Sequence, residues 1–407
     1  MYVFSPVRLL KLPYMGKRHK HLLPIMAFIA LTLTSCSTTV TRNHAHTAAI
    51  KSSPNTNNSA PAKNSTSSTG ISPVSSNRFP TGGSALSSPS MTFGIIPPQL
   101  PSPSMVPKML NYITSLADGH RFIVHLYTSW AEYPTTLPSL RNEISYYAAK
   151  GIQVDLALRY VPPHGQDGNI KGFAAYVATM VRDFAHQHNL TMIQVTNEPN
   201  SPFNQEASDG GYIHPRTALV DGIEAGTEAK DATGSHVALG FNWFYSFGQA
   251  ADKLWWSGLG KLGGSKFASD VNWVGMDIYP GTYVPASITT STAASVVAAS
   301  LGYLRNQLLP LAGINSSVPI GFSEIGWATK PPSRPYSEQA TLLTAFVKGA
   351  CSVQSTYNVR FLQWFKMADN TKYNPASPLA TGIMTSTLEP KPAYNSYKTA
   401  VSQGCNG

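Results

Sequence analysis

Cysteine, negative charge near the N-terminus and long apolar runs are all scarce in this sequence. Three cysteines occur in 407 residues. Cys36, Cys351 and Cys405 have no metal-ligand spacing, which removes cysteine-based metal sites from consideration. Asp and Glu are absent from residues 1–90, which carry nine Lys and Arg. Residues 91–407 hold 21 basic and 20 acidic side chains, so the net charge of +10 belongs to the N-terminal region. No basic stripe remains in the rest of the chain to track phosphates, and a nucleic-acid partner is not expected. What is present is a chain 42% hydrophobic. It is long enough for one large core or two smaller ones.

The N-terminal region reads as targeting sequence. A basic cluster, Lys17 to His21, precedes about twelve mostly apolar residues from Leu22 to Leu33, and Leu33-Thr34-Ser35-Cys36 follows. A basic segment, a short apolar segment and small residues before a cut describe an export signal. The apolar stretch is short for a transmembrane helix. Its last four residues resemble a lipoprotein lipobox, which implies lipidation of Cys36 and a membrane anchor facing outward. Ordinary cleavage near Ser35, giving a freely secreted protein, is the alternative. Residues 37–90 are rich in Ser, Thr, Asn, Pro and Ala. They have too little apolar surface to offset ordering entropy and are expected to form a disordered linker. The organisation is therefore 1–36 leader, 37–90 linker and 91–407 folded domain.

From Met91 onward, short apolar runs alternate with longer amphipathic stretches. Strands are expected at Met91–Ile96, Arg121–Tyr127, Ile152–Tyr160, Leu190–Asn197, His236–Trp243, Val271–Tyr279, Val318–Ser323 and Val359–Phe365. Helices are expected at Met105–Leu116, Leu137–Lys150, Ile170–His188, Ala218–Ala232, Ala294–Leu309, Ser337–Val353 and Ala393–Val401. A weaker helical pattern covers Ala251–Gly258. Near-continuous apolar strands alternating with helices predict an α/β fold, a (β/α)8 TIM barrel. Gly258-Leu259-Gly260-Lys261-Leu262-Gly263 matches a dinucleotide fingerprint in letters. It lacks the strand before and the helix after, and reads as a loop. Cys351 then falls on the seventh helix and Cys405 just past the eighth, neighbours in the outer ring. A disulfide is expected between them, with two buried thiols as the alternative.

Barrel enzymes carry their chemistry where strands end and βα loops begin. Asn197-Glu198-Pro199 ends the fourth strand, and Ser323-Glu324-Ile325 ends the seventh. Glycosidic cleavage needs two carboxyl groups flanking one bond. These two steps resemble glycoside hydrolase clan A, over about residues 91–403. The resemblance implies a retaining glycosidase with Glu198 as acid/base and Glu324 as nucleophile. It also implies that Asn197 holds a sugar hydroxyl, Tyr279 orients the nucleophile and Trp364 floors the sugar site. Arg159 is a candidate for the cation that many members carry near the nucleophile.

Trp130, Trp243 and Trp327 also fall at or just past strand ends, where they are either sugar platforms or core. Tyr127, Tyr283, His125 and Asp277 are further candidates at the barrel mouth. His44/His46 and His186/His188 are not expected to bind metal. No metal or organic cofactor is implied. The expected partner is an extracellular poly- or oligosaccharide, cleaved by a monomer, with endo action favoured. A transglycosylase on the same residues and a non-catalytic carbohydrate-binding lipoprotein are the alternatives.

Overall fold

Eight strands are hydrogen-bonded in sequence order and all in parallel, with β8 returning to β1 to close the barrel. They are β1 (Thr92–Ile95), β2 (Phe122–Ser129), β3 (Gln153–Arg159), β4 (Leu190–Val195), β5 (Ala238–Phe244), β6 (Trp273–Ile278), β7 (Ile320–Ile325) and β8 (Val359–Trp364). The helices of the outer ring are α1 (Val106–Ala117), α2 (Leu137–Ala148), α3 (Ile170–Asp183), α4 (Pro215–Thr233), α5 (Gln249–Asp270), α6 (Thr290–Tyr303), α7 (Tyr336–Ser352), the short α8 (Gln354–Tyr357) and α9 (Pro392–Gln403). This is the (β/α)8 barrel expected from the sequence. The computed structural model describes residues 90–98, 105–202, 205–246, 248–283, 285, 287–370 and 380–406, all within one compact unit, Val74–Gly407. The expected leader with Cys36, the linker up to residue 89 and His44/His46 lie outside the described residues.

The strands are buried on both faces, which is why they read as continuous apolar runs. Side chains alternate between two cores. The inward set includes Ile123, Met192, Ala238, Trp273 and Phe361, which pack together inside the barrel. Gly240 makes room for the Trp273 ring: a Cβ there would sit 2.3 Å from it. The outward set packs against the helices in the larger core. The same alternation decides which residues at the strand ends reach the mouth.

One expected loop is a helix. Gly258–Gly263 lies in the first part of α5, which kinks at Gly264 before running on to Asp270. Its glycines serve close packing. A Cβ on Gly260 would lie 2.3 Å from the Leu311 carbonyl oxygen, and one on Gly258 would lie 2.2 Å from the Arg216 guanidinium. Helix propensity is locally poor, and tertiary contact overrides it. Cys351, on α7, and Cys405, just after α9, form a disulfide with Cα atoms 5.1 Å apart.

Candidate active site

The end of β4 is locked by polar side chains from two other segments and by Gln194 of β4 itself. Thr196 and Glu198 both adopt left-handed backbone, with φ of 67° and 46°. Non-glycine residues hold such conformations only where their surroundings over-determine them. Here the Asn197 amide donates to Asp209 Oδ2 at 2.7 Å, and the Glu198 amide donates to Asn242 Oδ1 at 2.7 Å. The Gln194 side chain donates to the Thr196 carbonyl and to Asn197 Oδ1, each at 3.0 Å. Asn242, on β5, also donates to Asn197 Oδ1 at 2.8 Å and to Asp277. The turn therefore fixes Glu198 at the rim of the barrel.

Glu324 arrives from β7 and is held by two phenols. Tyr127 at the end of β2 donates to Oε1, and Tyr279 after β6 donates to Oε2. Burial and the surrounding carboxylates push both phenols well above their ordinary pKa, so they remain donors. One oxygen each from Glu198, Asp277 and Glu324 lies within 4.8 Å of the others. Burial, then the charge of Glu324, raises the Glu198 carboxyl well above the ordinary range; Arg159 opposes the shift. Asp277 is raised well above its ordinary value by the same two causes in the same order. Among these three acids, burial favours the protonated form of Glu198 and Asp277. Two phenol donors on Glu324 match an acceptor-only carboxylate.

Glu198 and Glu324 line one cavity of about 510 Å³. Asn197, Tyr127, Tyr279, Tyr283 and Arg159 share its wall. Arg159 is not a partner of Glu324. Its guanidinium is bound to Asp209 at 2.9 Å and to the Gln205 and Glu206 carbonyls, and its charge acts on Glu198. It ends β3, on the same side of the mouth as β4. His125 lines a neighbouring cavity, not this one.

Four tryptophans expected as possible sugar platforms are packing residues. Trp364 is fully buried, stacks on Phe346 of α7 and donates from Nε1 to the Thr381 carbonyl at 3.0 Å. Strand alternation turns it outward to the helices, since Phe361, three residues earlier in β8, faces inward. Trp243 is also fully buried, against Trp256 of α5 and Tyr303 of α6. Trp130 stacks on Tyr160 and meets Phe173 edge-on. Trp327 lies under the Arg334 guanidinium, 4.0 Å from its ring centroid.

The aromatic ring that reaches the cavity from β8 is Phe365, one residue beyond the tryptophan. It meets Tyr279 edge-on, and the Lys366 ammonium lies 5.0 Å from its centroid. Lys366 lines the cavity too, its pKa lowered by burial against the pull of Glu324. Asn242, Asp209, Phe244, Phe365 and Lys366 were not singled out from the sequence. Asn242 had a usable signal: it is a lone amide in the apolar run Leu239-Gly240-Phe241-Asn242-Trp243.

No protein-family model matches this chain, and no curated protein matches it. Solved structures do resemble it. GH5_18 from Streptomyces cattleya, in complex with GlcNAc, aligns with a TM-score of 0.55 at 16% identity, covering 77% of this chain and 80% of its own. A fungal β-1,4-galactanase aligns at 0.54 and 14% identity, covering 76% and 99%. The β-glucosidase from Thermotoga maritima in complex with glucoimidazole aligns at 0.53 and 13% identity, covering 75% and 87%. At these identities the likeness establishes the barrel fold.

Proposed function

We propose that this chain is a retaining glycoside hydrolase acting on β-glycosidic bonds by double displacement. The observation that carries the proposal is the facing pair of carboxyl groups in one cavity: Glu198, whose protonated form burial favours, and Glu324, capped by two phenols. Their closest oxygens lie within 4.8 Å. That spacing supports retention, for which carboxyl groups stand about 5–5.5 Å apart; inversion needs about 6.5–9.5 Å to admit a water molecule. Similar barrels from a β-galactanase and a β-glucosidase support a carbohydrate substrate.

In the first step Glu198 donates its proton to the glycosidic oxygen while a Glu324 oxygen attacks the anomeric carbon. One phenol must yield that oxygen, and the other keeps hold of its twin. In the second step Glu198 takes a proton from water as water displaces Glu324. In this reading Lys366 binds hydroxyls of the reacting ring and Phe365 offers it an apolar face, while Asn197, whose amide is bound to Gln194, Asn242 and the Ala207 carbonyl, has one Nδ2 hydrogen left for the sugar. The export leader expected from the sequence and the Cys351–Cys405 disulfide support a site of action outside the cell, with the chain tethered through Cys36 or released.

A panel of β-linked polysaccharides and aryl β-glycosides, read by anomer-resolved NMR, tests substrate and stereochemistry together. Glu324→Gln is expected to abolish turnover. Glu198→Ala is expected to cost about 10²–10⁴-fold on natural linkages. It should cost far less in the first step on substrates with activated leaving groups, which need little protonation. Equal losses on both substrate types would remove Glu198 from the acid/base role.

A further inference from the structure

The reaction described above uses two carboxyl groups, yet three converge at the barrel mouth. One oxygen of Asp277, near the end of β6, lies within 4.8 Å of one oxygen each of Glu198 and Glu324. Asp277 is fully buried and is not part of the wall of the catalytic cavity. It sits behind the reacting groups, not against the substrate. Its hydrogen bonds fix how its two oxygens are used. Asn242 Oδ1 accepts from the Glu198 amide, so the Asn242 Nδ2 group is the one that faces Asn197 Oδ1 and Asp277 Oδ2. Asp277 Oδ2 is thus an acceptor, and a proton on this carboxyl resides on Oδ1. Among the described residues the buried Oδ1 has no hydrogen-bond partner, and Asp277 forms no ion pair.

An ionised Asp277 would leave that oxygen charged, desolvated and bare, which is a costly way to bury it. A hydroxyl on Oδ1 is instead a donor, and the adjacent Glu198 and Glu324 carboxyl groups offer acceptors. Three carboxyl groups this close do not all ionise. Glu324 is the one that receives a donor on each oxygen, from Tyr127 of β2 and from Tyr279. Burial, then the charges of Glu324 and Glu198, raises Asp277 well above its ordinary range, against hydrogen bonds from the Glu324 amide and Asn242. The cations at this end of the barrel are engaged elsewhere. Arg159 of β3 pairs with Asp209, and Lys366 after β8 feels Glu324 and Asp369.

We propose that Asp277 is a positioning residue that works as an uncharged acid. Its Oδ2 holds Asn242, and through Asn242 the turn that carries Glu198. The proton on Oδ1 leaves Glu324 as the single negative charge among the three carboxyl groups. The consequence falls on the acid step and rests on the glycosidase reading. An ionised Asp277 would hold the Glu198 proton more tightly, whereas a general acid serves best with a pKa near the working pH.

The test is infrared spectroscopy of the full chain at neutral pH, read at the carbonyl stretch of protonated carboxyl groups, with the pH profile of kcat/KM beside it. The unmodified chain is expected to show such a band from aspartate, shifted by carbon-13 in the aspartate carboxyl and lost in Asp277→Asn. Absence of any isotope-shifted band in the unmodified chain would overturn the proposal whether or not the variant folds, and so would a band that survives in Asp277→Asn unchanged. Both limbs of the pH profile are expected to stay close to their positions in Asp277→Asn, because no charge is removed. Movement of both limbs to lower pH would show an ionised Asp277 in the working enzyme and contradict the proposal. Asp277→Leu leaves Asn242 without its acceptor and is expected to lower kcat on the order of 10²-fold. Asp277→Asn, which keeps an uncharged acceptor, should lose less, and equal losses would contradict positioning by an uncharged group. The spectra need no substrate. The aspartate band in a chain that turns over no glycoside sinks the hydrolase reading and leaves the protonated acid standing; turnover without the band sinks the proposal alone.

Discussion

At the residue scale, the site is a set of carboxyl groups sorted by environment. Glu198 owes its raised pKa first to burial and then to Glu324, with Arg159 pulling the other way. The direction gives a test. Removing the Arg159 cation takes away the pull downward and leaves the raising effect of Asp209, 2.9 Å from Arg159, unopposed. The alkaline limb of kcat/KM, set by loss of the Glu198 proton, is therefore expected to move to higher pH in Arg159→Leu. Arg159→Lys, which keeps the charge, should leave that limb close to its original position. A downward shift in Arg159→Leu would mean that another group sets the limb. The buried Asp209 then lacks its partner, at a cost on the order of 3–5 kcal/mol, so the profile is to be read at a temperature where the variant is folded.

The residues legible in the sequence were those whose place at a strand end, or in a motif, put them at the cavity. Glu198 and Glu324 are polar residues ending apolar strands, whereas Asn197 and Tyr279 were reached through the resemblance to clan A glycosidases. The tryptophans were not legible, because a strand end has two faces. Trp364 and Phe365 are adjacent, yet one packs on Phe346 and the other lines the cavity. Only the register of β8 against its neighbours decides between them. Asn242 was overlooked because it forms no motif with the residues beside it; it matters through Glu198, Asn197 and Asp277, which lie 35 or more positions away in the chain.

At the element scale, segments of unequal length shape the mouth. β2 runs to Ser129, five residues past its last pairing with β1, and the long loop after β4 brings Asp209 back under Asn197. The glycine-rich half of α5 was illegible as helix because its glycines favour other conformations in isolation. Gly258 and Gly260 sit where Arg216 of α4 and the chain near Leu311 leave no room for a Cβ, and Gly264 kinks the helix with a left-handed φ of 58°. The disulfide joins the end of α7 to the turn after α9 across 54 residues. In the chain-entropy model a loop of that length contributes about 4 kcal/mol. Cys351→Ser, or full reduction, is expected to lower the urea midpoint accordingly. A midpoint insensitive to reductant would show that the last helix is held by packing alone.

At the scale of the whole molecule, the fold was readable because parallel strands buried on both faces leave a continuous apolar signature, and eight of them in regular alternation with helices close on themselves. Closure places the ends of β4 and β7 on one rim, and so brings together two glutamates 126 positions apart in the chain. The chemistry assigned to them is open to direct capture. A panel of 2-deoxy-2-fluoro β-glycosides with activated leaving groups slows breakdown of any covalent glycosyl-enzyme, and peptide mass spectrometry locates the sugar. The result expected is an adduct of one glycosyl unit on the peptide containing Glu324, absent in Glu324→Gln. A sugar attached to any other residue, or hydrolysis with inverted product and no adduct, would contradict it.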